Sequence, residues 1–149
     1  MKRFFSFFIM QFFVLIMCAQ YVDLGLPSGT KWKTHNEPGF YTFNEALANY
    51  SNSLPTYDQW GELYGMCDWV WLGTAYKVVG PNGNFIKLPA SGARDIHGKV
   101  NSVGLAGSYW SSKRENSQEA HCLGFGSETI LMFTSFYNIG YSVRLVQNE

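Results

Sequence analysis

Two Thr-x-x-Glu/Gln boxes, "TFNE" at 42–45 and "TYDQ" at 56–59, stand close together in this chain, and helical periodicity ends with the second. In each, the threonine hydroxyl can accept from the backbone N–H three residues on, while the Glu45 or Gln59 side chain reaches back. Behind Thr42, the residues Phe43, Ala46, Leu47 and Tyr50 fall on one helical face. Behind Thr56 the stripe is Trp60, Leu63, Tyr64 and Cys67, with Pro55 just before the cap. The spacing predicts helices of about 8 and about 11 residues. Beyond Cys67 the chain reads as strand and turn: "WVWL", "AYKVV" and "NFIKLPA", the last two joined by the hairpin signal "GPNGN", and later "EAHCLGF", "TILMF" and "YSVRLV". Between the two groups Ser91 to Ser108 shows no period, and so long a connection inside a compact domain is functional or held by its own packing. Helices first and strands afterwards predict an α+β fold: two helices packed on a small, mostly antiparallel sheet, with a long irregular loop region.

The N-terminus sets the compartment. Lys2 and Arg3 precede an apolar run from Phe4 to Met17 that only Ser6 and Gln11 interrupt. That layout predicts a secretory signal over residues 1–19, because the run falls short of the roughly 20 residues that cross a bilayer. Cleavage is expected before Gln20, and lipidation of Cys18 is the alternative, although Met17 is a poor residue to precede a lipid-bearing cysteine. Residues 20–149 then form a single domain of about 130 residues, enough to bury roughly two-thirds of the unfolded surface in one core. Lys plus Arg and Asp plus Glu each number 11, so losing Lys2 and Arg3 leaves 9 against 11, a balance of about −2. The basic residues are scattered, so no nucleic-acid partner is expected. Contact with a membrane is expected only through a lipid on Cys18. Cys67 and Cys122 remain in an exported chain, where they can pair or stay as small buried apolar residues.

The stretch "GSYWSSKRENSQEAHC", Gly107 to Cys122, invites a test for catalysis. A nucleophile elbow needs Gly-x-Ser-x-Gly between a strand and a helix, and "YWSSK" supplies neither the second glycine nor the helix. Ser111 or Ser112 with His121 or His97 and Asp95 make a triad on paper only, since any chain of this size offers such triples. The plainer expectation is that the hydroxyls bond backbone at a strand end. His35, His97 and His121 are too far apart in sequence for a ligand pair, and Asp95 with Asn101 is a weak calcium cluster. No metal, cofactor or enzymatic activity is expected.

Five blocks carry a resemblance: "YVDLGLPSGTKW" (21–32), "LPTYDQWGEL" (54–63), "YKVVGPNGNFIKLPASGARD" (76–95), "GLAGSYWSS" (104–112) and "GYSVRLV" (140–146). In this order the chain resembles the Fibrobacter succinogenes major paralogous domain family, common in exported proteins of gut anaerobes. The resemblance implies a C-type-lectin-like fold, related to formylglycine-generating enzymes and to variable proteins diversified by retroelements. The paired active-site cysteines of the former have no counterpart, and the Glu-Pro-Asn and Trp-Asn-Asp calcium motifs of animal C-type lectins are absent. His35 stands where many relatives carry a cysteine, which implies that Cys67 has lost its usual partner and leaves Cys122 as a substitute partner or both as free thiols.

A scaffold without catalytic groups presents loops. The scaffold positions are Trp60, Tyr109, Trp110 and Val143, read as core. The unpatterned polar stretches are "KRENSQE" (113–119) and "TSFYNIG" (134–140), and the second matches loops that vary in the retroelement-diversified proteins. Lys113, Arg114, Glu115 and Asn116, with Thr134, Phe136, Tyr137 and Asn138, are therefore the candidate contact residues for a protein or glycan at the cell surface. The expected function is an exported, non-enzymatic binding or adhesion module; a structural component of a surface assembly and a formylglycine-generating-type enzyme are the alternatives.

Overall fold

A computed structural model describes residues 20–148, so the predicted signal segment and Cys18 lie outside the described residues. The described residues form a mixed α+β fold of two helices and eleven strands: β1 (Tyr21–Asp23), β2 (Lys31–Lys33), α1 (Phe43–Tyr50), α2 (Tyr57–Met66), β3 (Asp68–Trp71), β4 (Ala75–Val79), β5 (Phe85–Pro89), β6 (Ala93–Arg94), β7 (Val100–Asn101), β8 (Gly107–Arg114), β9 (Glu119–Phe125), β10 (Ile130–Phe136) and β11 (Val146–Gln147). Instead of one small sheet there are several, ordered β1-β2-β11, β3-β4-β5, β10-β9-β8 and β6-β7, with every named pair antiparallel. No helix among the described residues is long and apolar enough to cross a membrane.

Both helices begin at the predicted threonines. Thr56 closes a full box: its hydroxyl accepts from Gln59 N at 3.1 Å, and Gln59 Oε1 accepts from Thr56 N at 2.9 Å. Thr42 makes only the first half, accepting from Glu45 N at 3.3 Å. Gln59 also ties the helix start to the end of the chain, its amide donating to Asn148 Oδ1 at 2.6 Å. Thr56→Ala should therefore cost about 1 kcal/mol of stability, read as a lower midpoint in denaturant unfolding. α2 stops at Met66, leaving Cys67 as its cap, and buries Trp60 and Leu63. Tyr64, expected on that stripe, is 52% exposed on its flank, with its ring against Trp69.

The β8-β9-β10 sheet organises the core because both of its faces are covered. One face carries Tyr109, Leu123, Phe125, Ile130 and Met132 into a cluster with Trp32, Trp60, Val78 and Leu88. The other carries Trp110, Ala120, Cys122 and Phe133 into a second cluster with Phe43, Ala46, Tyr141 and Val143. A strand buried on both sides reads as a continuous apolar run, which is why "AHCLGF" shows little alternation. Trp60 bridges the halves by donating Nε1 to the Trp110 carbonyl at 3.2 Å.

Three expectations change. Lys113 and Arg114 belong to β8, where the register shifts between Trp110 and Arg114, and Thr134 and Phe136 belong to β10. Arg114, Thr134 and Phe136 are all paired with β9, so the lack of a sequence pattern alone hid the strand ends. Of "YSVRLV" only the last residue, Val146, enters a named strand, although Tyr141 to Val146 are all buried. Its backbone serves several neighbours in turn: Trp110 N donates to Ser142 O, Glu37 N to Val143 O and Lys33 N to Leu145 O. Buried backbone groups are thereby satisfied without a continuous ladder. Ser91 to Ser108 is not wholly irregular either, since it holds the β6-β7 hairpin, closed by Asp95 Oδ1 accepting from His97 N and Lys99 N, both at 2.9 Å. Gly92 is obligatory there: its φ is +74°, and a Cβ would stand 2.0 Å from Asn101 O.

Candidate functional site

The two polar stretches meet at one end of the β8-β9-β10 sheet. The β8-β9 hairpin closes over Glu115 to Gln118, with Asn116 Oδ1 accepting from Gln118 N and Glu119 N, both at 2.8 Å. Asparagine is suited to such a tip because its side chain completes the turn in place of backbone. Asn116 therefore shapes the loop rather than reaching outward. β10 ends beside it, and the following turn is held by Ile139 N donating to Phe136 O. Tyr137 locks the two loops together: its N–H donates to Gln118 O at 2.9 Å and its hydroxyl to Asn116 O at 2.5 Å. Its ring packs 4.8 Å from that of Phe43, and the Arg114 guanidinium lies over both rings at 5.8 and 5.3 Å.

A depression of about 320 Å³ opens between the loops, lined by Ser117, Gln118, Phe136, Tyr137 and Asn138. Phe136 is 56% exposed, and Arg114, Asn116 and Asn138 are exposed around it, while Tyr137 is half-buried. The arrangement offers an apolar ring, amides that donate and accept, and one guanidinium, all on a sheet anchored by both core clusters. Such a set can hold a polar ligand by hydrogen bonds and stacking.

The predicted residues do not all share this surface. Lys113, on the opposite face of β8 from Arg114, sets its ammonium 4.5 Å over the Tyr57 ring. Glu115 is paired with His121 at 2.7 Å, and His121 in turn meets the Tyr57 ring edge-on at 5.1 Å. Thr134 stands directly opposite His121 in the sheet. Tyr57 and His121 thus extend the polar surface around the sheet edge. The sequence signal for them was the alternation of His121 between Ala120 and Cys122, which puts it on the face away from Trp110. Ser117 and Gln118 were inside the polar stretch but not singled out.

Of the two hydroxyls after Trp110, that of Ser111 bonds backbone as expected, but both serines lie inside β8 rather than at its end. Ser111 is fully buried and donates to the His121 carbonyl at 2.7 Å, and Ser112 N donates to Pro55 O. No nucleophile–base pair is assembled from them. Asp95 spends its carboxylate on the hairpin N–H groups, chiefly that of Lys99, which hold its pKa below the ordinary value. Among the described residues no group of three or more His, Cys, Asp or Glu is placed to hold a metal ion.

The Cys67–Cys122 disulfide is not formed; both are free thiols. Their positions explain it, since Cys67 packs against the first cluster at the end of α2 and Cys122 lies inside the second, beyond the sheet. Burial pushes the Cys67 thiol up to about 11 and the Cys122 thiol higher still. Neither is a ready nucleophile at neutral pH, because the thiolate is the reactive form. The native protein should accordingly show two free thiols by mass under non-reducing conditions, with Cys122 alkylated by iodoacetamide only after unfolding. The raised pKa of Cys67 also gives a sign: its contribution is present below the ordinary 9.0 and is lost as pH climbs from there through about 11, since the unfolded chain ionises first.

No protein-family model, curated protein or solved structure matches this chain.

Proposed function

We propose that this is an exported, non-enzymatic ligand-binding or adhesion module with a C-type-lectin-like fold of the Fibrobacter succinogenes major paralogous type. A signal segment over residues 1–19 delivers it out of the cytoplasm, with Cys18 as the site of a lipid anchor where one is added. The observation that carries the reading is the convergence of two loops on one depression, Ser117 and Gln118 with Phe136 to Asn138, fastened by Tyr137 and left open to solvent, with the exposed Arg114 beside the Tyr137 ring. Binding residues concentrate on loops presented by a rigid scaffold, and the sheet beneath is covered on both faces. The ligand is a protein or glycan at the cell surface, recognised by the Phe136 ring, the Gln118 and Asn138 amides and the Arg114 guanidinium. A screen of the protein against arrayed glycans and extracted surface proteins, run beside a variant of Arg114, Phe136 and Asn138, tests it.

A structural role in a surface assembly is the second reading. Val103 and Leu105, 66% and 72% exposed after the β6-β7 hairpin, favour it together with exposed Ile96. Apolar side chains so displayed suit a neighbouring subunit. Concentration-dependent association in sedimentation, lost in Val103→Ser/Leu105→Ser, supports that reading; a monomer at high concentration removes it. A formylglycine-generating-type enzyme fits poorly, because it needs a reactive thiol pair and the two thiols here are buried in different clusters.

A further inference from the structure

Arg144 is 1% exposed, yet it has no acidic partner among the described residues. Its Nε donates to Asn36 Oδ1 at 2.8 Å, Nη1 to the Lys33 carbonyl at 3.0 Å and Nη2 to the Lys87 carbonyl at 2.6 Å. All three acceptors are neutral, and two of the five guanidinium N–H donors are left over. Burial pulls the group down to about 10, still far above neutral pH, so it stays charged. A buried cation held only by dipoles is costly, and the cost falls when a carboxylate reaches it.

Arg144 is one of the residues that line a groove of about 430 Å³ between the Thr34–Asn36 segment and β5, with His35, Phe85, Lys87 and Pro89 also on its walls. The groove shares no residue with the hairpin depression. Lys87 faces Lys77 directly across the β4-β5 pair. Like charges in that position destabilise a sheet. The ion pairs found among the described residues are Lys33–Glu37 and His121–Glu115, so none of Lys77, Lys87 and Arg144 has a carboxylate within 4.0 Å there. The acid that follows the Thr34–Asn36 wall in the chain, Glu37, is already taken by Lys33.

These two observations, a buried guanidinium with spare donors and an unneutralised lysine pair, point to the same missing charge. We infer that the groove is a second binding site, one for a carboxylate-bearing sugar residue. The Arg144 fork and the Lys87 ammonium would take the carboxylate, as planar bidentate recognition favours arginine. Pro89, with Phe85, 45% exposed and carrying the Lys77 ammonium 4.4 Å over its ring, gives an apolar wall for the C–H face of a sugar ring. His35, whose Nδ1 is held by Thr34 Oγ1 at 2.9 Å, has Nε2 free for a ring hydroxyl. The volume lies within the usual range for small-molecule pockets.

Titration of the isotope-labelled protein with sodium glucuronate and, separately, with glucose at low ionic strength tests the site. Glucuronate should bind at least tenfold more tightly than glucose, shift the amides of His35, Asn36 and Lys87, and weaken as salt is added. Because Arg144→Gln risks the fold, the informative variant is Lys77→Gln/Lys87→Gln, which should melt no lower than wild type and lose glucuronate affinity about tenfold. The combined Arg114, Phe136 and Asn138 variant should bind glucuronate as wild type does, which separates this site from the hairpin. Equal binding of glucuronate and glucose, no binding of either, or full affinity in the double-lysine variant overturns the inference. So do amide shifts confined to residues 114–118.

Discussion

Trp110→Ala should cost the fold about 3–5 kcal/mol, the range for removing a large buried aromatic side chain. Trp110 is fully buried in the second cluster, with its ring 5.4 Å from Phe43 and 4.8 Å from Tyr141. Its Nε1 donates to the Tyr41 carbonyl at 2.7 Å, so truncation also removes a hydrogen bond, leaving that carbonyl with the Tyr141 N–H alone. A domain of this size is stable by about 5–15 kcal/mol in total, and one such loss brings it close to unfolding at ambient temperature. Denaturant unfolding followed by tryptophan fluorescence and far-UV circular dichroism checks it. Trp110→Phe should recover most of the packing and leave the hydrogen-bond deficit of about 1 kcal/mol. A loss below about 1 kcal/mol for the alanine variant would mean that the sheet is not held from both faces as described.

The second large effect is on binding. Arg114→Ala/Phe136→Ala/Asn138→Ala removes the guanidinium, the exposed ring and the rim amide together. Aromatic and arginine contacts dominate binding energy, so affinity for the surface ligand should fall by about 100-fold or more. The three side chains are exposed, and surface substitutions usually change stability by less than about 0.5 kcal/mol each. Tyr137 does not belong in such a variant. Its ring packs on Phe43 and its hydroxyl ties down the hairpin tip, so Tyr137→Ala would lower stability and binding at once and confuse the result.

How much of this was legible in the sequence depends on which physics set each feature. The capped helix starts were legible because a capping box is local: Thr56 and Gln59 need only each other. The core assignments of Trp60, Tyr109, Trp110 and Val143 followed from ring size and apolarity, and all four are fully buried. The strand ends at Lys113-Arg114 and Thr134-Phe136 were not legible, since backbone pairing there is fixed by the partner β9 and not by residue type. "YSVRLV" misled for the opposite reason: its apolar alternation is that of a strand, but its backbone is shared among β2, β8 and the Glu37 segment.

The candidate site was half-legible. That 113–119 and 134–140 are polar and unpatterned showed in the sequence; that Tyr137 would bolt one to the other required the fold. Lys113 and Arg114 are neighbours in sequence that point to opposite faces, and only the register of the sheet separates them. Arg144 carried no signal at all. A lone arginine in an apolar segment reads as an exception, and its lack of a counter-charge among the described residues emerges only once the carboxylates around it have been placed.

The most direct test of the central claim is a paired measurement on wild type and Arg114→Ala/Phe136→Ala/Asn138→Ala: the dissociation constant for the strongest ligand found in the surface screen, and the melting temperature. The hairpin account predicts a loss of affinity of about 100-fold with melting temperatures within a few degrees of each other. Wild-type affinity in a variant that melts like wild type would contradict it, and would place recognition elsewhere on the molecule.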